Sequence, residues 1–413
     1  MDKRIAVTGI GIIASNAIGR AEFWKAIRAG KTGIRPVTLF DMSSTRTKTA
    51  GEVAGFRAED FLGDKGLRTL DRATKLVLAA SKLALDDAGL KYPLEEDISV
   101  RTGVSLGSTL GSVWSISEFD KGGLKEGPRS VNPALFPNTV INAPASQISI
   151  RFNIKGFNTT ISTGFSASLD AIDYAANFIK SYDYDTVLTG GVEELCLQTF
   201  LGFHKIGHLA GSREGKPEIN CPFDKRRNGI VLGEGACIMV LEDLEHAMKR
   251  SAPIYAEVLG YGTSFDPASR NIYSPKAEGA ASAIELALDD AKVKPDEIDY
   301  VSASGNSTLD CDVMETRAVN RVFGDKAKRL PVSSIKSMIG DTFSAGGAMN
   351  TAAAIGAIVE GFIPPTMNYE VKDERCGLDY VPNRSREARL KKILVDSFTP
   401  TGVNSSMVLG AVS

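Results

Sequence analysis

The chain has 413 residues, of which 43% are hydrophobic and 24% are charged, an ordinary globular composition that supports one large core or two similar ones. Lysine and arginine total 48 against 50 for aspartate and glutamate, which leaves a formal net charge of −2. This balance carries no polybasic signal, and we expect neither nucleic acid nor a membrane as a partner.

The first predicted element is a strand over residues 5–8, which leads into Gly9-Ile10-Gly11-Ile12-Ile13-Ala14. This hexapeptide matches the G-x-G-x-x-A pattern of a dinucleotide-binding loop. The second strand and terminal acid that such a site requires are missing, because the next region reads FWKAIRAGKTGI, a short helix and a turn. We therefore disfavour nucleotide binding and expect no cofactor.

Two distant segments of the chain repeat each other. SKLALDDAG at 81–89 and IELALDDAK at 284–292 share ALDDA, and each is a helical pattern followed by an acidic stretch and a β-rich run, at 98–106 and 298–303. The shared order favours a duplicated α/β unit, with one half over residues 1–250 and the other over 251–413. No linker-like composition separates the halves, so we expect one tightly packed body.

Further helical patterns over residues 71–88 and 169–179, with β-rich runs over 186–190 and 236–241, complete a layered α/β prediction. The five cysteines are odd in number and lack CxxC spacing, so we expect reduced thiols and no metal site. The start MDKRIAVTGIG lacks a signal-peptide core, and no apolar run approaches the roughly 18 residues of a membrane-spanning helix. We therefore expect a cytoplasmic protein.

Four stretches of the chain resemble β-ketoacyl synthases of the elongating type. They are VTGIGIIAS at 7–15, CPFDKRRNGIVLGEGA at 221–236, SSIKSMIGDTFSAGGA at 333–348 and DSFTPTGVN at 396–404. Together they span nearly the whole chain, and the block at 222–235 is long and specific. The resemblance implies the thiolase fold, five αβαβα layers built from two pseudo-equivalent halves, in agreement with the internal repeat.

The family resemblance also implies a chemistry. Its members use a cysteine thiolate to accept an acyl chain, and two histidines to decarboxylate a malonyl thioester and to steady the enolate. Two backbone N–H groups form the oxyanion hole. The thiolate requires a lowered pKa, which the family obtains at the start of a buried helix, and the donors act by being aimed in advance at the developing charge.

At all three side-chain positions the resemblance places a residue that cannot do this chemistry. Phe165, in ISTGFSAS at 161–168, stands where the cysteine belongs. Ser304, in SGNST, replaces the first histidine, and Asp341, after KSMIG, replaces the second. An aromatic ring at Phe165 would also plug the site that an acyl chain occupies in active relatives.

The remaining composition agrees with this loss. The only histidines are His204, His208 and His246, so the second half of the chain contains none. In the C-terminal loop TPTGVN, Pro400 stands where the family's phenylalanine offers its N–H, and proline has no N–H. Loss of a single oxyanion donor lowers a rate on the order of a hundred- to a thousand-fold, so we expect no condensation by the usual route.

Other residues that match the family are interpreted as fold supports. Glu315 and Lys336 fall where the family keeps a buried ion pair, and Glu234 falls in the VLGEGA turn. Removing one partner of such a pair is costly once it is buried.

Three alternatives to this interpretation stay open. Gly164-Phe165-Ser166-Ala167-Ser168 is one residue away from the G-x-S-x-G nucleophile elbow, so Ser166 is a candidate for an acyl transferase or hydrolase if His204 or His208 acts as its base. These histidines would share a helix face at i, i+4 and could bind a metal, although no third ligand has suitable spacing. Cys311 is a candidate replacement nucleophile, although an unpaired cysteine is more often a small buried apolar residue.

Ketosynthase relatives without the cysteine are typified by the chain-length factors of type II polyketide synthases. The resemblance therefore implies an inactive subunit that pairs with an active ketosynthase and sets chain length in polyketide or polyene synthesis. It would meet the acyl carrier protein indirectly, through that partner. In such proteins the segment at 131–149 runs along the dimer interface, so Phe136, Asn138 and Thr139 are candidate tunnel residues. The alternative is a homodimer that binds acyl carrier protein without a catalytic partner.

Basic residues near a predicted helix start bear on carrier binding. Lys65, Arg68 and Arg72 are candidates to meet an acidic carrier protein directly. In a helix-start region rich in charge, such residues more often form a solvated face.

Overall fold

Strands and helices alternate along the chain in the computed structural model, which describes residues 3–267 and 272–412. The strands are β1 (Ile5–Ala14), β2 (Ala17–Ile18), β3 (Arg35–Pro36), β4 (Thr49–Ala50), β5 (Thr102–Gly107), β6 (Asn158–Ile161), β7 (Thr186–Glu193), β8 (Gly235–Asp243), β9 (Ala256–Phe265), β10 (Tyr300–Ser302), β11 (Val332–Ser333), β12 (Phe362–Ile363), β13 (Arg386–Glu387), β14 (Lys392–Phe398) and β15 (Val403–Gly410).

The helices are α1 (Arg20–Arg28), α2 (Glu59–Leu62), α3 (Arg72–Asp87), α4 (Glu96–Ser99), α5 (Val113–Glu126), α6 (Ala143–Phe152), α7 (Ala167–Ser181), α8 (Leu197–Lys205), α9 (Leu244–Lys249), α10 (Glu278–Asp290), α11 (Cys311–Phe323), α12 (Lys336–Ile339) and α13 (Gly346–Glu360). Short 3-10 helices occur at Pro128–Ser130, Pro133–Thr139, Gly164–Ser166, Pro295–Glu297, Gly324–Lys328 and Phe343–Ala345.

The main sheet has eleven strands among the described residues and consists of two halves with the same strand arrangement, here called the first and the second sheet. Their strand orders are β6-β5-β7-β8-β1 and β11-β10-β14-β15-β9. In each sheet the first three strands are parallel and the last two run antiparallel to their neighbours. β1 pairs with β9 through Ile5–Val7 and Ala256–Val258, which joins the two sheets. The matching orders confirm the duplicated α/β unit, while a division at residue 250 remains a prediction.

The helices complete five layers. α7 and α13 lie centrally, because α13 contacts β14 of one sheet and β7 and β8 of the other, while α7 contacts β5, β7 and β15. α3 and α6 cover the outer face of the first sheet, and α10 and α11 cover that of the second. Buried apolar clusters fill the central layer and the space beneath α3 and α10. This arrangement confirms the predicted αβαβα thiolase fold.

Close packing between α3 and β1 explains the glycines near the start of the chain. A Cβ on Gly9 or Gly11 would overlap the carbonyl oxygen of Ala84 or Ala80, respectively, so only glycine lets α3 lie against the strand. Both glycines lie within the fully buried β1. The G-x-G-x-x-A match is therefore part of a strand and not a strand-to-helix loop, which removes the nucleotide-binding alternative.

Most predicted elements lie where the periodicity indicated. The helices predicted at 71–88 and 169–179 are α3 and α7, and the runs at 186–190 and 236–241 are β7 and β8. The run at 98–106 is only partly a strand, because the amides of Val100 and Arg101 bond back to Glu96 and Ile98 and close a helical turn before β5. In the part of the chain that the structure describes, no helix combines the length and apolarity needed to cross a membrane.

Candidate functional site

Phe165 lies where the first sheet leads into the central helix α7. β6 ends at Ile161, a 3-10 turn covers Gly164–Ser166, and α7 begins at Ala167. Gly164 has a φ of +84°, and a Cβ there would lie 3.1 Å from the Cγ2 atom of Thr399, so the turn favours glycine. The side chain of Phe165 points inward and is only 9% exposed.

A row of aromatic rings fills the space before both central helices. The ring centroid of Phe165 lies 4.7 Å from that of Phe343, and Phe343 lies 5.0 Å from Phe203. Phe343 precedes α13 as Phe165 precedes α7, and each begins a Phe-Ser-Ala sequence. Sequence analysis missed Phe343, although that repeated tripeptide was a usable signal. Rings in such contact stabilise the fold but offer neither a nucleophile nor an acid–base group.

Ser304, predicted at the first histidine position, is buried and bound through its backbone and its side chain. Its N–H donates to Glu315 at 2.7 Å, and the N–H of Gly305 donates to the other carboxyl oxygen at 2.8 Å. The Ser304 hydroxyl accepts from the N–H of Phe398 at 3.0 Å. These bonds tie the ends of β10 and β14 together, a structural task.

Asp341, predicted at the second histidine position, forms a buried ion pair. Its Oδ2 lies 3.5 Å from the Nζ of Lys336, and its Oδ1 accepts from the N–H of Phe343 at 3.2 Å. The ion pair predicted between Glu315 and Lys336 is thus replaced by one between Lys336 and Asp341. The physical reason is that Asp341 brings a carboxylate to the lysine, which compensates its buried charge, while Glu315 is occupied by backbone amides.

A second carboxyl, Asp396, lies close to Glu315. Burial, and then the nearby charge of Asp396, raises the pKa of Glu315 well above its usual value. Burial raises the pKa of Asp396 to about 7, and its Oδ1 accepts from the Ser406 hydroxyl at 2.7 Å. Both acids therefore keep their protons to a higher pH than exposed carboxyl groups do. Sequence analysis missed Asp396, since nothing in its local pattern marks a carboxyl as buried.

Pro400 lies in the turn between β14 and β15 and borders a cavity of about 260 Å³. Phe165 and Asn306 line the same cavity. It reaches the surface at Arg213 and Leu309, which are exposed. A group that entered this cavity would therefore meet an aromatic ring, and would meet a proline at the position predicted for an oxyanion N–H.

The Ser166 alternative finds no support in the geometry. The Ser166 hydroxyl is fully buried and has no hydrogen-bond partner among the described residues. His204 places its Nδ1 3.0 Å from the Thr47 hydroxyl, and His246 bonds to Glu242. His208 lines the same cavity as Phe165, but among the described residues no histidine is hydrogen-bonded to the Ser166 hydroxyl.

The metal and cysteine alternatives also lose support. α8 ends at Lys205, so His208 lies beyond the helix that carries His204 and the two do not form an i, i+4 pair on it. Cys311 begins α11 and is fully buried. Burial raises its pKa well above the usual value, which keeps the thiol neutral and unreactive.

The predicted tunnel residues lie on the 3-10 helix Pro133–Thr139. Phe136 is 59% exposed, and its ring lies 6.0 Å from that of Phe119 in α5. Asn138 is turned inward, 4% exposed, and donates to the carbonyl of Thr69 at 2.6 Å. The hydroxyl of Thr139 bonds to the carbonyl of Phe136 at 2.7 Å. Of the three, Phe136 is thus the one whose side chain is available to another molecule.

The three basic residues proposed to meet a carrier protein differ in whether their side chains are free to do so. Lys65 and Arg68 are exposed. Arg72 instead bonds to Glu234 at 2.6 and 2.7 Å, and Glu234 is fully buried and also accepts from the amides of Val53 and Leu195. The structure therefore corrects the carrier-binding hypothesis at Arg72, because its guanidinium supports the fold.

Known proteins are similar to this chain in sequence and in fold. The chain matches the family "Beta-ketoacyl synthase, N-terminal domain" over residues 2–247 and "Beta-ketoacyl synthase, C-terminal domain" over residues 255–370. It is 37% identical over 412 residues to a "3-oxoacyl-[acyl-carrier-protein] synthase 2" of Coxiella burnetii, with 99% of each chain covered.

Solved structures agree over the full length. One described as "The ishigamide ketosynthase/chain length factor" has a TM-score of 0.93 at 36% identity, with 100% of each chain covered. Another, a type II PKS acyl-carrier protein in complex with its ketosynthase bound to the hexaketide, has a TM-score of 0.91 at 29% identity with the same coverage. These matches show that the chain belongs to the β-ketoacyl synthase family and has its thiolase-like fold.

Proposed function

We propose that the chain is a chain-length factor, the non-catalytic subunit of a ketosynthase pair. It would bind an active ketosynthase and shape that partner's acyl tunnel in type II polyketide or polyene biosynthesis. The observation that carries the proposal is Phe165, an apolar ring packed against Phe343 at the position that the family resemblance assigns to the nucleophile.

The surrounding residues support an inactive site. The Ser304 hydroxyl is already bound to the N–H of Phe398. Asp341, a carboxylate paired with Lys336, would repel a developing enolate where an imidazole would steady it. Because acid–base groups and oxyanion donors each contribute on the order of a hundred-fold or more, their joint loss leaves no measurable condensation.

An exposed apolar surface supports a protein partner. It is formed by α5, the 3-10 helix Pro133–Thr139 and α6, which contact one another. Its exposed side chains are Trp114, Ile116, Phe136, Val140, Ile141 and Ile150. Beside it, β6 is an edge strand that pairs only with β5 among the described strands. Clustered apolar side chains and an open strand edge are features of an interface.

The relatives support the choice of partner. The structure at 36% identity is described as a ketosynthase/chain length factor, and a second relative is a ketosynthase in complex with an acyl-carrier protein. In the proposed pair, the active subunit performs the chemistry and receives the carrier protein, and this chain meets the carrier only through that subunit.

The proposal is tested by co-expression with a ketosynthase encoded near this chain. Size-exclusion chromatography with light scattering measures assembly, and a malonyl-carrier elongation assay is run on each subunit and on the mixture. We expect a 1:1 complex that is active only when both subunits are present. A chain that forms a homodimer and does not bind the ketosynthase would contradict the proposal and favour the homodimeric alternative.

A pair of matched variants locates the interface. Phe136→Glu places a charge on the exposed apolar surface and is expected to dissociate the complex, because a buried unpaired carboxylate is costly. Met248→Glu is the control, since Met248 is 63% exposed on α9, outside that surface. Equal dissociation by both variants, or by neither, would place the interface elsewhere.

A further inference from the structure

A groove of about 910 Å³ lies at the far end of the central helices from the aromatic row. Lys180 near the end of α7 and Ile358 near the end of α13 line it, whereas Phe165 and Phe343 precede the starts of these helices. Each helix has 15 residues, and a helix of that length spans roughly 22 Å. The groove is therefore remote from the cavity at Phe165.

Seven basic side chains line this groove, namely Lys3, Arg4, Lys180, Lys292, Arg389, Lys391 and Lys392. The two acidic lining residues are already engaged. Glu257 accepts from Arg4 at 2.5 and 2.6 Å, and Asp290 accepts from the backbone N–H of Tyr261 at 2.9 Å. The groove lining has seven cations against two carboxylates and is therefore net positive, although the whole chain has a formal charge of −2.

Four exposed cations of the groove have no carboxylate within 4 Å in residues 3–267 and 272–412: Lys180, Lys292, Arg389 and Lys391. Lys3, which is half-buried, has none there either and donates to the carbonyl of Tyr182. Lys180 and Lys292 lie at helix C-terminal ends, where a cation also complements the macrodipole. Arg389 and Lys391 lie in the segment before β14 and have no such role. Uncompensated charge concentrated in a concave surface attracts anionic ligands.

The floor of the groove is apolar. Ile5, Val258 and Leu390 are buried there, and Leu259 and Ile358 are half-buried. A cross-section through the groove thus passes from a basic rim to an apolar base. A ligand that matches both features needs negative charges on one side and apolar groups on the other.

We propose that this groove binds an acidic amphipathic segment of another protein. Its carboxylates would pair with Lys292, Arg389 and Lys391, and its apolar side chains would cover Leu259 and Ile358. A nucleic-acid backbone would use the cations but not the floor, and a single small anion would occupy a minor part of the volume. The proposal goes beyond the pairing with a ketosynthase, because the groove is formed by this chain alone.

The test measures fluorescence anisotropy of a labelled peptide of about 15 residues with Glu and Leu on opposite helical faces. The groove variant combines Lys292→Glu, Arg389→Glu and Lys391→Glu. The control variant combines Lys31→Glu, Lys276→Glu and Lys328→Glu, which are exposed lysines outside the groove with the same change in net charge. Thermal unfolding shows that each variant is folded, and Arg389→Glu alone replaces the groove variant if it is not.

We expect saturable binding to the unmodified chain that weakens as salt is added. The groove variant should lose on the order of tenfold or more in affinity, and the control variant should match the unmodified chain. Equal affinity for the groove variant and the unmodified chain would overturn the proposal. So would equal binding of a peptide with the same composition in scrambled order, or tighter binding by a single-stranded oligonucleotide or by phosphatidylserine vesicles.

Discussion

Replacing Phe165 by alanine tests whether its ring fills a packed site. The ring is 9% exposed and contacts Phe343. A buried Phe→Ala substitution costs about 3 to 5 kcal/mol. Because one side of the ring borders the cavity of about 260 Å³, we expect the lower end of that range, about 3 kcal/mol. An unfolding entropy of about 2.1 cal/mol/K per residue gives a shift in melting temperature of roughly 1.2 °C per kcal/mol for a chain of this size, so the expected decrease is about 3.5 °C.

Chemical denaturation and thermal unfolding measure this change. Phe265→Ala is the matched control, since that phenylalanine is 62% exposed and its removal should change stability by less than about 0.5 kcal/mol. A loss below about 1 kcal/mol at Phe165 would refute the packed-ring argument, because it would fall within the range of ordinary surface substitutions.

Replacing Phe165 by cysteine tests the chemical side of the same argument. Phe165→Cys restores a thiol, but neither Ser304 nor Asp341 is an imidazole, so the elongation assay should still show no condensation by this chain alone. Turnover by this single variant would refute our explanation of why the site is inactive.

The remaining predictions rest on packing, protonation and the exposed apolar surface. A Cβ on Gly347 would lie 2.8 Å from the Cγ of Leu169, so Gly347→Leu should destabilise the chain by roughly 1 to 3 kcal/mol or more in denaturation experiments. Gly202→Ala, in open space on α8, should stabilise it by about 0.5 to 1 kcal/mol. Burial raises the pKa of Asp396 to about 7, so its contribution to stability is fully present below about pH 4 and is lost progressively as the pH rises to about 7. Asp396→Asn should therefore flatten the stability curve between about pH 4 and pH 7. Replacing Phe136 with alanine or tryptophan should alter product length in the reconstituted pair without abolishing turnover, and an unchanged product mass spectrum would count against its role.

The repeated ALDDA segments and the family-like stretches were sufficient to predict the duplicated fold, because periodicity and motif order are local properties of the chain. Gly9 and Gly11 let α3 pack against β1, although their spacing also matches the pattern of a nucleotide-binding loop. The missing second strand and acid already disfavoured that loop, and the position of these glycines inside a buried strand agrees with this.

Pairings between distant residues were harder to predict. Glu315 was the predicted partner of Lys336, whereas the structure pairs Lys336 with Asp341. The prediction treated Asp341 only as the residue that replaces a histidine, and not as a carboxylate that could compensate a buried lysine. The contact between Phe165 and Phe343 depends on two helices that meet in the central layer. Local spacing indicates which side chains are apolar, but it does not indicate which of them face each other across a layer.

The pairing of β1 with both β8 and β9 has a consequence for how the protein is made. Apart from its short pairing with β2, β1 can pair only after residues 235–243 and 256–258 have been synthesised. Contacts of such long sequence separation slow folding and leave strand edges open in the meantime. A fragment that ends before residue 256 would lack the strand that covers one edge of β1. A cut between the two repeats would therefore expose a strand edge that the whole chain keeps paired.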